Sequence, residues 1–331
     1  MRALIIFTIL TFVHNTFAKN CLDLLSTFQN KERNVAPVLD VSATYKRLYE
    51  IQKQFPEHIK IHKFGTSEGE DLLALNVFHY KDQRKKYRIM ISSGVHGNEP
   101  MGVITAMNFL ETLLKNRDEF KDFEFTFIPM INPTGLIDST RRTRADIDLN
   151  RSFKDGHWVE ASSALRELLA KDSDFDMAID LHGANTKSEF FAIKADEDRG
   201  LAREALKSLQ KKDLLFPKTE EGERLNEFPG QNGSYTLFSP GETLSQSLGT
   251  LKTYYNNLGI PYSYTLEYPG MLKTNKGEKQ MPPQRQMKMM THIVRSLLYS
   301  LKKIERTPQS IKKFGPTKPI QVPNTTSAAV K

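Results

Sequence analysis

Apolar residues recur along this chain in two rhythms. In residues 43–55, Tyr45, Leu48, Tyr49, Ile51 and Phe55 fall at helical spacing, which predicts an amphipathic helix. Shorter apolar runs follow at 58–64 (HIKIHKF), 72–80 (LLALNVFHY) and 87–94 (YRIMISSG), and these read as strands. A helical pattern at 101–114 precedes another strand at 123–131, and a helix at 159–169 precedes the buried-looking strand DMAIDLHG at 176–183. The rhythm closes with a helix at 248–258, the strand YSYTLEY at 262–268 and a helix at 287–302. Strands alternating with helices predict an α/β fold: a single domain with a mixed, mostly parallel sheet covered by helices on both faces.

Two stretches break the pattern. Residues 216–234 are polar and rich in Gly and Pro, the composition of a long surface loop. From Arg306 onward the chain has Pro, Ser, Thr and Lys with little apolar content, and a disordered basic tail is expected over 304–331. At the other end, Arg2 precedes an apolar run from Ala3 to Val13 and a small-x-small ending at Thr16 and Ala18. That is the pattern of a cleavable secretory signal over 1–18, which implies a secreted or periplasmic protein with its catalytic-size domain over 19–303. The run is short for a membrane span of about 20 residues, so no stable span is expected after cleavage.

Composition adds little to this picture. The 39% hydrophobic and 26% charged fractions are those of an ordinary soluble protein, so a core is expected. The net charge of +8 suits an anionic partner, yet no nucleic-acid motif accompanies it and nucleic acid is not expected. Cys21 is the single cysteine, which excludes an intramolecular disulfide.

Chemistry is expected at the strand ends, because ligands bind open α/β sheets beyond the carboxyl ends of their strands. Three such ends carry polar side chains: His96 and Glu99 after YRIMISSGV, His182 after MAIDL, and Glu267 in YSYTLEYPG. Two imidazoles and one carboxylate form a catalytic zinc set that leaves a position for water, and Glu267 would be the general base. Singly, each has an ordinary structural explanation; together at three strand ends they point to one site. The run STRRTRAD offers Arg141, Arg142 and Arg144 as the cation that would stabilise an oxyanion, with Arg142 or Arg144 favoured.

These motifs make the chain recognisable. From roughly residue 44 to 300 it resembles the zinc carboxypeptidase family, the carboxypeptidase A-like or M14 metallopeptidases. HGNEP is similar to the family's H-x-x-E, which carries His96 and Glu99 over as zinc ligands, and IDLH is similar to the segment supplying the third ligand, His182. IDLNRSF resembles the D-x-N-R motif. It implies that Asn150 and Arg151 hold the substrate's terminal carboxylate and that Asp148 orients a zinc-bound histidine, His96. The strand before Glu267, the segment KFGTSEGEDLLAL and the turn INPTGL also match. The resemblance implies one Zn2+ ion and a peptide substrate with a free C-terminal carboxylate. With an exported basic protein, a peptidoglycan stem peptide is the expected form of that substrate.

The chain departs from the digestive members where they carry a mobile tyrosine: the corresponding region reads LSQSLGTLK, with Tyr235 and Tyr254 as the nearest substitutes. The aspartoacylase and succinylglutamate desuccinylase branch is related, and it supplies an alternative reading, a zinc N-acyl amino acid deacylase. A further alternative is a non-catalytic binding protein on a peptidase scaffold, against which stand the chemically competent residues at all four central positions.

Overall fold

The computed structural model describes residues 21–29, 35–79, 87–188, 192–195, 201, 249–267, 269–274 and 277–303. The expected signal, the loop at 216–234, Tyr235 and the basic tail lie outside them.

In chain order, a short 3-10 turn precedes strands β1 (Leu25–Gln29) and β2 (Val35–Leu39) and helix α1 (Val41–Gln54). Strands β3 (Ile59–Ser67), β4 (Glu70–Val77) and β5 (Tyr87–Ser93) lead to α2 (Pro100–Lys115), β6 (Phe123–Ile128), α3 (Pro133–Asp138) and α4 (Glu160–Lys171). Then come β7 (Met177–Leu181), β8 (Ala184–Ser188), β9 (Ala192–Ala195), α5 (Leu251–Asn257), β10 (Tyr262–Glu267), β11 (Pro269–Thr274), β12 (Gly277–Gln280) and α6 (Pro283–Lys303).

Among the described residues, seven strands form the main sheet in the order β3-β4-β6-β5-β7-β10-β9. Its centre, from β6 through β5 and β7 to β10, is parallel, and the pairings at either edge are antiparallel. This is the expected mixed α/β sheet. The β1–β2 ribbon and the small sheet β12-β11-β8 were not legible, because their strands are short and mostly lack a clean apolar alternation.

The central strands are buried on both sides, which is why they read as near-continuous apolar runs. Ile89, Ile91, Phe125, Phe127, Ile179 and Leu181 face a core shared with α1, α2 and α6. Met90, Ile128 and Ala178 face a second core, closed by Ala161, Leu165 and Leu169 of α4 and by Leu251 and Tyr255 of α5. In the first core the ring of Phe125 stands 6.0 Å from that of Phe109 on α2, edge to face. Truncating such a fully buried ring to alanine costs about 3–5 kcal/mol.

Helix ends follow their capping residues. The Asp40 carboxylate accepts from the Ala43 N–H and starts α1, and Asn132 accepts from the Gly135 N–H to start α3. Thr250 accepts from the Thr253 N–H, so α5 begins three residues later than the apolar pattern predicts. Among the described residues, no helix is long and apolar enough to cross a membrane.

Candidate metal centre

The parallel strands β5 and β7 lie side by side, with Ser93 opposite Leu181, so the segments leaving their carboxyl ends emerge together. Two glycines let those segments close on one another. A Cβ on Gly102, in the first turns of α2, would stand 2.3 Å from the Leu181 carbonyl oxygen, and one on Gly97 would stand 1.9 Å from the Gly135 carbonyl carbon. Only a residue without a side chain permits such approaches. They seat the His96–Glu99 loop against the end of β7 and the start of α3.

His96, Glu99 and His182 are all buried, and their ligand atoms lie within 4.8 Å of one another. His96 Nδ1 is 3.1 Å from Glu99 Oε1, and His182 Nδ1 is 3.0 Å from Glu99 Oε2. The Gly183 N–H donates to the same carboxylate at 3.1 Å. The two rings stand nearly perpendicular, with centroids 4.8 Å apart.

Each imidazole is held from behind by a carboxylate. His96 Nε2 lies 3.2 Å from Asp148 Oδ1. His182 Nε2 lies 2.6 Å from Asp180 Oδ2, inside a wholly buried pair. Asp180 also accepts from the Ser92 hydroxyl at 3.0 Å. This second carboxylate was not singled out from the sequence, although a signal existed: in IDLH, Asp180 and His182 are two apart on a strand and therefore share a face.

The electrostatics follow from this packing. Burial opposes the charge on Glu99, but the two imidazoles outweigh it and hold its carboxyl well below the usual range. Burial likewise opposes charge on Asp148, yet its bond to His96 and the nearby Arg141 and Arg151 keep it well below the usual range. For His182, burial favours the neutral ring, while Asp180 and Glu99 prevail and raise its pKa. Two imidazole nitrogens turned toward one carboxylate, each ring backed by an acid that fixes its orientation, form the donor set that zinc prefers. The residues present fit that ion.

The three arginines of STRRTRAD point in different directions. Arg141 reaches the cluster: its Nε donates to Asp148 Oδ2 at 3.2 Å, and Nη1 lies 3.2 Å from His96 Nδ1 and 3.6 Å from Glu99 Oε1. Arg142 pairs with Asp146, and Arg144 with Asp138, both on the exposed side of the loop. Nothing in the residue types distinguishes the three, since the difference lies in contacts to distant segments.

Asp148 begins a single 3-10 turn by accepting from the Asn150 N–H at 3.0 Å. Asn150 is buried, and its side-chain oxygen accepts from the Leu251 N–H at the start of α5. Arg151 is exposed and donates to the Asn150 carbonyl at 2.6 Å. Glu267 is the last residue of β10. The register sets Leu266 opposite Leu181, and the His182 N–H donates to the Leu266 carbonyl at 2.9 Å, so Glu267 stands beside His182 at the same sheet end. Tyr254 is buried in the second core, its ring 6.1 Å from Phe153 and 5.4 Å from Trp158.

Comparison with known proteins places this geometry. The family model described as zinc carboxypeptidase matches residues 44–292. Among curated relatives, "Inactive metallocarboxypeptidase ECM14" of Ajellomyces capsulatus is 32% identical over 109 residues, 30% of this chain and 18% of that protein. "Cytosolic carboxypeptidase 2" of Danio rerio is 26% identical over 198 residues, 56% of this chain and 26% of that protein. This chain thus spans only a fifth to a quarter of those relatives. Among solved structures, bovine thrombin-activatable fibrinolysis inhibitor in complex with tick carboxypeptidase inhibitor superposes with a TM-score of 0.61 at 18% identity, over 80% of this chain and 97% of that one. Carboxypeptidase A from Helicoverpa armigera gives 0.60 at 17% identity, over 79% and 72%. These likenesses extend to the fold.

Proposed function

Because the chain belongs to the zinc carboxypeptidase family, we propose that it is a zinc-dependent carboxypeptidase, hydrolysing a peptide bond near a free C-terminal carboxylate. The observation that carries this reading is the convergence of His96, Glu99 and His182, with Asp148 and Asp180 behind the two rings.

In this reading His96, Glu99 and His182 hold one zinc ion, which when bound polarises the scissile carbonyl and activates water near neutral pH. Glu267, beside His182, takes the proton from the attacking water and returns it to the leaving amine. Arg141 stabilises the oxyanion, a contribution of about 3 kcal/mol for one such donor. Arg151 and the Asn150 amide receive the substrate's terminal carboxylate, the guanidinium in parallel charge-assisted hydrogen bonds. Asp148 binds both the His96 ring and the Arg141 guanidinium, so it aligns a ligand and a cation together.

We take the substrate to be a peptidoglycan stem peptide, met outside the cytoplasm. The net charge of +8 and the signal-like residues 1–18 support that choice. A non-catalytic binding role is the second reading, motivated by the inactive fungal relative. The presence here of His96, Glu99, His182 and Glu267 weighs against it.

The test is to incubate the zinc-loaded protein with a peptidoglycan digest, ordinary peptides and N-acyl amino acids, and to read products by mass with and without a chelator. Chelator-sensitive loss of C-terminal residues supports the proposal. Cleavage confined to N-acyl amino acids would replace it with the deacylase, and no cleavage of any substrate would leave the binding role.

A further inference from the structure

The β3–β4 hairpin turns through Glu68 and Gly69, both at positive φ, +49° and +91°. A tight turn with two such residues is met at least cost by Gly, Asn or Asp; the Cβ of a glutamate is crowded there. Turn geometry therefore gives no reason for glutamate, and a strained residue points to some other role.

Its carboxylate supplies the reason. Glu68 Oε2 accepts from the Thr134 hydroxyl on α3 and from the Arg144 N–H at 3.1 Å, and Oε1 accepts from the Ala145 N–H at 2.8 Å. Although burial opposes its charge, these bonds keep the carboxyl below its ordinary range. The turn is gripped from the far side as well: Glu160, in the first turn of α4, accepts from the Thr66 hydroxyl and from the Glu68 N–H at 2.7 Å. Two carboxylates in series thus tie α4 to the loop at 139–148.

That loop bears Arg141 at one end and Asp148 at the other. It folds on itself through the bonds Thr143 N–H to Ile147 carbonyl and Asp146 N–H to Thr143 carbonyl, both 3.0 Å, with Ser139 and Asp146 also at positive φ. Internal closure sets the loop's shape. Glu68 sets its placement against the body.

We propose that Glu68 is a positioning residue: by holding the backbone of Arg144 and Ala145 it fixes the loop so that the Arg141 guanidinium lies between Asp148 and the His96–Glu99 pair. What Arg141 does there rests on the carboxypeptidase reading; the clamp itself does not.

The experiment compares wild type, Glu68→Asn, Arg141→Ala and the double variant for kcat, KM, zinc content, melting temperature and amide exchange at residues 144 and 145. Asparagine suits the left-handed turn but is one methylene too short to reach the loop. Glu68→Asn is expected to keep its melting temperature, zinc and KM, and to lose about tenfold to hundredfold in kcat, the size of a small misplacement of a catalytic group. Exchange at 144 and 145 should quicken by about tenfold or more if the bonds to Glu68 protect those amides. In the double variant the losses should not multiply, because Glu68 acts through Arg141. Multiplying losses, or wild-type kcat with unchanged exchange, would overturn the proposal. Glu68→Gly also suits the left-handed turn, has no side chain to reach the loop, and carries the same comparison if Glu68→Asn does not fold. A wild type that cleaves no peptide refutes the enzymatic reading instead, and the exchange rates then decide the clamp alone.

Discussion

Replacing Asp180 with asparagine tests the inner architecture of the candidate metal centre without touching a proposed ligand. The wild-type contact, His182 Nε2 to Asp180 Oδ2 at 2.6 Å, lies between two side chains with no solvent exposure. Hydrogen bonds to a charged partner contribute about 1.5–3 kcal/mol, and burial leaves little water to replace this one. The asparagine oxygen can still accept from the ring, and its amide can still meet the Ser92 hydroxyl, so shape is kept and only the charge is lost. At 1.4 kcal/mol per decade, the zinc dissociation constant should rise by about tenfold to hundredfold. Competition with a fluorescent chelator, run at one fixed pH for every variant, measures this directly. Asp148→Asn provides an internal scale. Its contact to His96 is longer, 3.2 Å, and its side chain is 17% exposed, so its effect should be the smaller of the two. A zinc affinity within threefold of wild type in Asp180→Asn, or a larger loss in Asp148→Asn, would show that the buried pair does not orient His182.

Other consequences are as direct. Arg141→Ala should lower kcat by about a hundredfold to a thousandfold with little change in zinc content, whereas Arg142→Ala, whose partner Asp146 is exposed, should stay within about threefold in steady-state assays. Cys21 is buried against Glu111, and burial first, then that carboxylate, pushes its thiol up to about 12 from 9.0, so native protein should resist alkylation that goes to completion once it is unfolded. The same shift has a sign. Below pH 9.0 both states hold the proton and nothing changes; above it the unfolded chain loses a proton that the folded chain keeps, so stability falls as pH rises, and denaturant titrations of Cys21→Ala should fall less steeply.

The parts of this molecule that could be read from the sequence are those governed by local pattern. Strands β4, β5, β6 and β7 are buried on both faces and appear as apolar runs; β10 is found the same way, with Glu267 at its end. His96, Glu99 and His182 were found because polar side chains at the ends of such runs are conspicuous. Helix α6 was expected from residue 287 and begins at Pro283, since proline is tolerated in a first turn whose N–H groups have no helical partner. What escaped was decided by contacts between segments far apart in the chain. Arg141, rather than Arg142 or Arg144, reaches the His96–Glu99 pair because Asp148 draws it inward, while Asp138 and Asp146 hold its neighbours outward. Glu68 could not have been linked to that loop, because 76 residues separate it from Arg144.

We propose that this constellation is a working zinc peptidase and not an inert scaffold. Turnover of C-terminal peptide substrates by wild type and Glu267→Gln, compared at equal bound zinc, tests it most directly. Chelator-sensitive release of C-terminal residues by wild type is expected, with a loss of about a hundredfold or more in the variant, the contribution of a positioned general base. Equal rates in the two proteins, or no release by zinc-loaded wild type, would contradict it.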